Sequence, residues 1–167
     1  DPLTNIVTNH GAFRSRGVDL VVDAQLGAWA RGLCGWSLFG NVTRQESELR
    51  EGVNEGNDTP FVPAWLAAGG VRYEHRSGAY GLVDAAFRDR SAVLDDNSIH
   101  TPDYTLFGAR AGWRHTRDVG CARVEFDVAV GVKNLFDADY YLRHNATLYV
   151  PGTPREMFID VSVGIEF

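Results

Sequence analysis

Methionine and cysteine are scarce in this 167-residue sequence, which contains one and two of them, respectively. Two cysteines cannot build a disulfide framework. No run of about 18 uncharged apolar residues occurs, which excludes a transmembrane helix. The net charge of −6 argues against nucleic acid as a partner, because duplex-binding proteins normally carry a basic patch. The chain begins Asp1-Pro2-Leu3 without a leader, from which we expect a fragment or a processed piece.

Helical periodicity is also nearly absent, and alternation of apolar and polar residues takes its place. The clearest case is residues 121–133, where Val124, Phe126 and Val128 alternate with charged residues. Seven segments of this kind predict strands, at residues 18–26, 36–43, 65–74, 83–90, 107–114, 121–133 and 156–167. Residues 3–9 are a candidate for a shorter eighth strand.

The predicted connections alternate in length along the chain. Three are short, at residues 28–32, 76–78 and 116–120, and three are long and polar, at residues 45–63, 91–103 and 134–153. Short turns at one end and long loops at the other are typical of a bacterial outer-membrane barrel. The sequence therefore predicts an all-β fold, an antiparallel up-and-down transmembrane β-barrel.

The two faces of each predicted strand differ in the cost of contact with lipid. A mid-membrane Arg facing lipid would cost about 2–4 kcal/mol, so we expect the face of Arg123, Glu125 and Asp127 to line the lumen. The charged exceptions on the apolar faces lie near strand ends: Arg14, Arg16, Arg44, His75, Asp89 and His115. Aromatic residues flank the apolar band near both ends: Trp36, Tyr73, Trp113, Phe167, Trp65, Phe87 and Phe107. A soluble barrel or sandwich with its apolar face inward would show the same alternation and stays open.

The C-terminal third contains a specific pattern. It runs Val132-Lys133-Asn134-Leu135-Phe136-Asp137, then Tyr140, then Pro151-Gly152-Thr153-Pro154-Arg155, and ends in an alternating strand with Phe167. This pattern resembles the closing signature of TonB-dependent outer-membrane receptors. Upstream, Asn9-His10-Gly11 with Ser15-Arg16-Gly17-Val18-Asp19, and Val62-Pro63 before a strand, resemble further elements of that family.

The resemblance implies a barrel of 22 strands with a plugged lumen in the bacterial outer membrane. It also implies uptake of ferric siderophores, or of cobalamin, haem or other nutrients, with energy from TonB. Residues 1–167 would form a single segment equivalent to the last third of that barrel, without a plug domain or TonB box, so that TonB would be a partner only through a plug. Lipid, lipopolysaccharide and the barrel-insertion machinery, which would read the C-terminal strand, are the other expected partners. The short turns would be periplasmic.

Charged residues on the predicted lumen face are the candidate ligand-binding groups. Arg88, Arg90, Arg110 and Lys133 could guide an anionic ferric chelate. The alternative is a self-satisfied network, in which arginines on neighbouring strands pair with Glu125 and Asp127. We expect the residues of the closing signature to shape turns and not to contact ligand: Asn134, Leu135, Phe136, Asp137, Tyr140, Pro151, Gly152, Pro154, Arg155 and Phe167.

The sequence gives little support for metal binding, a disulfide bond or enzyme activity. The five histidines, at positions 10, 75, 100, 115 and 144, lack metal-ligand spacing, and no metal or cofactor is predicted. Cys34 and Cys121 fall on opposite faces, which predicts two free thiols. No enzyme activity is expected, although Ser98 and His100 leave a small barrel hydrolase or acyltransferase as an alternative. A self-contained eight-stranded barrel acting as an anchor or binding protein is the other alternative.

Overall fold

The computed structural model describes residues 11–144 and 149–166, except the side chains at positions 143, 144 and 149. The candidate strand at residues 3–9 and the terminal Phe167 lie outside the described residues. Seven long strands form one antiparallel sheet in the order β1-β2-β3-β4-β7-β8-β11. Their bounds are Phe13–Gln25 (β1), Trp36–Leu49 (β2), Trp65–Glu74 (β3), Ala79–Arg88 (β4), Tyr104–Val119 (β7), Ala122–Lys133 (β8) and Glu156–Glu166 (β11). Two short hairpins, Ser91–Ala92 (β5) with His100–Thr101 (β6) and Tyr141–His144 (β9) with Tyr149–Pro151 (β10), lie in the long loops.

The seven predicted strands and the all-β antiparallel fold are therefore confirmed. The shortest of these strands, β3 and β4, have 10 residues each. This length suffices for a tilted crossing of a bilayer, which needs about 9–11 residues. Within the described part of the chain, no helix is long and apolar enough to span a membrane.

The register of the sheet aligns the apolar residues of all seven strands. One continuous row crosses the whole sheet through directly paired residues: Ala24, Leu38, Val71, Val83, Ala109, Val132 and Met157. We call the side of the sheet that carries this row the outer face, and the opposite side the inner face. Because the period of a strand is two, a slip of one residue anywhere would break the row.

The large apolar side chains of the outer face are exposed, whereas the centre of the inner face is buried. On the outer face, Val128 and Val161 are 45% and 70% exposed, whereas Asp127 on the inner face is 6% exposed. Ala129, also on the inner face, is buried. Among the described residues, the large apolar side chains of the outer face thus share no dry interior with one another. They form a surface that needs an apolar environment.

Several of the predicted boundaries are wrong, and three of them change the lengths of the connections. β2 continues to Leu49 because residues 45–49 pair with β1 beyond the end of β3. This two-stranded ribbon carries polar side chains on both faces, so the alternation of apolar and polar residues that predicts a strand is lost there. An ion pair joins Arg16 Nη2 and Glu46 Oε2 at 2.8 Å. β7 runs to Val119, and the turn is only residues 120–121, where Gly120 has a φ of 64°. The first short connection covers residues 26–35 and contains two 3₁₀ turns.

Two of the long loops pack against each other. The N–H of Phe61 donates to the carbonyl of Ala92 at 2.8 Å, and Asn57 Nδ2 donates to the carbonyl of Asp95 at 2.9 Å. Ala92 and Val93 are 2% and 4% exposed. The loop after β2 and the loop after β4 therefore form one unit with a small core, beyond the end of the sheet.

Candidate functional site

Asp127 lies at the centre of a polar cluster on the inner face. Its Oδ1 accepts a hydrogen bond from the hydroxyl of Tyr80 at 2.7 Å, and its Oδ2 accepts one from Arg114 Nε at 3.0 Å. Arg110 Nη2 is 3.9 Å from Asp127 Oδ1. The register explains this meeting, because Arg114 is the direct cross-strand partner of Asp127. A carboxylate this buried requires such donors.

The cluster continues to the neighbouring strands. Arg110 Nη1 lies 3.3 Å from Asp160 Oδ2 on β11, and Arg114 Nε lies 3.5 Å from Glu125 Oε1. The cluster thus spans four adjacent strands, with a tyrosine from β4, two arginines from β7 and carboxylates from β8 and β11. This arrangement is the network of neighbouring-strand pairs that the sequence made available.

Glycines on the inner face allow large rings to lie flat on the adjacent strand. A Cβ at position 112 would meet the phenol of Tyr80 at 2.5 Å, and a Cβ at position 131 would collide with the ring of Phe158. Lys133 Nζ lies 5.3 Å from the centre of that same ring. Because Gly112 and Gly131 have no side chains, the rings of Tyr80 and Phe158 can lie directly against them on the inner face.

The four candidate ligand-binding residues do not form one cluster. Arg110 belongs to the Asp127 network, and Lys133 Nζ lies 3.4 Å from Glu156 Oε2. Both line a groove of about 540 Å³ on the inner face. Arg88 lies at the loop end of β4, where its Nη2 donates to the carbonyl of Phe61 at 3.2 Å. Arg90 was predicted on a strand, but β4 ends at Arg88 and Arg90 is an exposed loop residue.

The start of the closing signature forms a tight loop after β8. Asn134 and Asp137 have positive φ values of 49° and 55°, which Asn and Asp tolerate better than most residues. The buried Asn134 side chain accepts the N–H of Ala138 at 2.8 Å and donates to the carbonyls of Ala138 and Thr153 at 2.9 and 3.2 Å. Leu135 N–H donates to the carbonyl of Phe107 at 2.8 Å, and the Phe136 ring meets the Phe107 ring edge-on.

The second half of the signature joins this loop to the last strand. Asp137 Oδ1 accepts the N–H of Arg155 at 2.7 Å, and the Tyr140 hydroxyl accepts the N–H of Thr153 at 3.2 Å. The backbone of Gly152 donates to the carbonyl of Tyr140, whose ring occupies the space of a Cβ at Gly152. Pro151 ends β10, and Pro154 lies just before β11 on the wall of the inner groove. These contacts connect β8 to β11.

Ser98 makes a local contact in the β5–β6 hairpin. Its hydroxyl and N–H donate to Asp96 Oδ1 at 2.7 and 3.0 Å, and these two bonds hold the pKa of the Asp96 carboxyl below its usual value. His100 is exposed on β6, where it pairs with Ala92. Both cysteines are exposed free thiols, and the described residues hold no group of three or more potential metal ligands.

Sequence reasoning missed Tyr80 as a member of the cluster. Tyr80 lies on the same face of β4 as Asp84, so the alternation of residues along the strand does place Tyr80 on the inner face. Gly81 interrupts it, however, and the predicted strand began at Val83 in place of Ala79. Asp160 has the parity of the polar face of β11, but only the fold shows that it reaches Arg110.

An antiparallel sheet with a continuous apolar outer face and an ionic inner face has the architecture of an outer-membrane barrel wall. The sequence of residues 1–135 matches the family model described as TonB dependent receptor-like, beta-barrel. The chain belongs to this family of receptor barrels, which are proteins of the bacterial outer membrane.

Solved structures agree with the fold. The ferric citrate transporter FecA in its unliganded form is 23% identical with a TM-score of 0.80, over 92% of this chain and 24% of that chain. The ferric yersiniabactin uptake receptor FyuA from Yersinia pestis is 22% identical with a TM-score of 0.72, over 95% and 24%. The siderophore receptor PiuA from Acinetobacter baumannii is 18% identical with a TM-score of 0.73, over 92% and 22%. The chain thus spans about a quarter of the length of these proteins.

Proposed function

We propose that this chain forms part of the barrel wall of a receptor that takes up a ferric siderophore across the outer membrane with energy from TonB. The observation that best supports this function is that the sheet of a member of this receptor family has an apolar outer face and an ionic inner face. The outer face suits lipid, and the inner face offers charged groups of both signs to a polar lumen. The similar structures include a ferric citrate transporter and a ferric yersiniabactin receptor.

In this proposal, the open edges of the sheet pair with further strands of the same barrel. Within the described residues, β1 and β11 each have a neighbour on one side only. Exposed strand edges are not tolerated in hydrocarbon, because each unpaired N–H and C=O there costs several kcal/mol. In this proposal, residues 1–167 form a single barrel segment. Lipopolysaccharide contacts the long-loop end, and the insertion machinery reads the last strand.

The loop end of β4 is the proposed contact for an anionic ferric chelate. Arg88 and Arg90 lie there, next to the packed unit of two long loops, and Arg110 and Lys133 line the groove below. Guanidinium groups bind carboxylates and other oxyanions in a bidentate manner, which suits an anionic chelate. We expect Arg88 and Arg90 to select ligand, and the Asp127 network, which includes Arg110, to maintain the wall.

Iron uptake by the intact receptor tests this function. Cells that depend on the receptor should accumulate radioactive iron from at least one of ferric citrate, a ferric catecholate or ferric yersiniabactin, and should lose that uptake when TonB is deleted. Replacing Arg88 and Arg90 together by Ala should weaken binding about tenfold. Arg123→Ala, on the same face at the opposite end of the barrel, should leave binding unchanged. Absence of TonB-dependent iron uptake from every chelate would contradict the proposal.

A further inference from the structure

The connection between β1 and β2 differs from the other two at the same end of the sheet. It spans residues 26–35, whereas the others span only residues 75–78 and 120–121. We call residues 26–35 the apolar turn. Its large side chains are Leu26, Trp29 and Leu33, and its single charged residue is Arg31. Trp29 is 75% exposed and Leu33 is 39% exposed.

The backbone of the apolar turn satisfies many of its own polar groups. Trp29 N–H donates to the carbonyl of Leu26 at 3.0 Å, and Leu33 N–H donates to that of Ala30 at 2.9 Å. The N–H of Cys34 donates to the carbonyl of Arg31 at 3.4 Å. These bonds close two consecutive 3₁₀ turns. A segment with its backbone groups paired internally can leave bulk water at a lower cost than an open loop.

The apolar turn is continuous with the lipid-facing surface of the sheet. Trp36, at the first position of β2, packs on Tyr73 with ring centres 4.8 Å apart, and both lie on the outer face at this end. Leu26 continues the parity of the outer-face residues of β1. Tryptophan prefers the boundary between hydrocarbon and headgroups, and an Arg there is attracted to phosphate groups.

We propose that the apolar turn docks into the phospholipid headgroup region on the short-turn side of the membrane. Trp29 and Leu33 enter the boundary with the acyl chains, and Arg31 contacts lipid phosphate. The turn thereby fixes the depth of the β1–β2 hairpin in the bilayer. This inference rests on the orientation of the outer face toward lipid, and it is independent of the transported ligand.

Spin-label accessibility tests the proposal in the intact receptor reconstituted into phospholipid bilayers. With Cys34 and Cys121 replaced by Ser, a nitroxide is attached at Ala30→Cys, next to Trp29. Its collision rates with oxygen, which partitions into lipid, and with a water-soluble nickel chelate are compared. Val128→Cys on the outer face and Asn54→Cys in a long loop are the membrane and water controls. A second receptor carries the Ala30 label together with Trp29→Ser and Leu33→Ser.

We expect the label at position 30 to give an oxygen-to-nickel ratio between the two controls. The Trp29→Ser, Leu33→Ser change should shift this ratio to the value at Asn54. A ratio at position 30 equal to that at Asn54 in the unaltered turn would overturn the proposal, as would shielding from both reagents, which indicates a protein contact. A water-like ratio at Val128 would show instead that the outer face does not contact lipid. The two failures are therefore distinguishable.

Discussion

Asp127 illustrates how a single carboxylate can organise a wall that faces water. It is nearly buried although its arginine partners are about one-third to one-half exposed. Tyr80 and Arg114 together supply the hydrogen bonds that replace its lost hydration. A partner removed from such a group leaves the remaining charges uncompensated, which costs more than the pair contributes.

Replacement of Asp127 by Asn should therefore destabilise the receptor. We expect a loss of about 2 kcal/mol in the free energy of unfolding, the typical value for hydrogen bonds to a charged group, reduced here by partial exposure of the arginines. Asp160→Asn is the matched control, because Asp160 is about half exposed and should cost less than about 1 kcal/mol. Urea unfolding of the reconstituted receptor measures both. Equal effects would contradict a central role for Asp127.

Gly112 is a second residue whose identity the wall requires. An added Cβ would meet the Tyr80 ring at 2.5 Å and the carbonyl of Val128 at 2.8 Å. Gly112→Ala should thus displace Tyr80 from Asp127 and destabilise the receptor by about 1–3 kcal/mol. Gly81→Ala on the adjacent strand is the control, since the nearest atom to its Cβ would be 4.0 Å away. If the two alanine variants unfold at the same urea concentration, the position of the Tyr80 ring does not depend on Gly112.

Asp96 provides a prediction of pH dependence in the long loops. Hydrogen bonds from Ser98 lower the pKa of its carboxyl, so the turn is stabilised above the ordinary pKa of Asp and loses that support as the pH falls through the lowered value. In a carboxyl NMR titration, Asp96 should titrate below the usual range for Asp. Ser98→Ala removes the hydroxyl donor and should raise the pKa. An unchanged titration in Ser98→Ala would show that the hydroxyl plays no part.

At the scale of elements, the closing loop after β8 connects the last two strands. Asn134 is 6% exposed and bridges Ala138 and Thr153, while Asp137 holds the N–H of Arg155. These bonds fix the point from which β11 begins its pairing with β8.

Asn134→Ala should delay pairing of the last strand. We expect it to reduce the amount of folded, heat-modifiable receptor in outer membranes and to destabilise it by about 1–3 kcal/mol, the cost of leaving buried polar partners unpaired. Asn134→Gly, which removes the same side chain but tolerates the positive φ of this position, is the control for backbone conformation. A normal amount of folded receptor in Asn134→Gly would assign the effect to φ and not to the bridge.

The strands could be predicted from the sequence because one face of each is apolar, and burial in lipid enforces that period. The ends of several strands could not be predicted, and the physical reason differs from one end to the next. Residues 45–49 carry polar groups on both faces, and Gly81 hides the start of β4. Arg90 shares the parity of Arg88 but lies past the last ladder pair. The Asp127 cluster depends on the register between strands, which alternation along one strand does not contain.

Across the complete sheet, the two faces differ in whether they can contact hydrocarbon. The apolar row crosses all seven strands without a charged residue, and the polar cluster around Asp127 crosses four of them on the opposite side. A lipid-facing charge near the membrane centre would cost about 2–4 kcal/mol. The two faces are therefore not interchangeable in a bilayer, and the proposed membrane contact of the apolar turn depends on this orientation.

Spin-label accessibility along β11 tests this orientation most directly. Labels placed one at a time from Ile159 to Val163 in the reconstituted intact receptor sample both faces of one strand. Oxygen accessibility should be high at Ile159, Val161 and Val163 and low at the two positions between them, with a period of two residues. The opposite phase, or nickel-chelate accessibility that is greatest at Val161, would contradict the assignment of the apolar face to lipid.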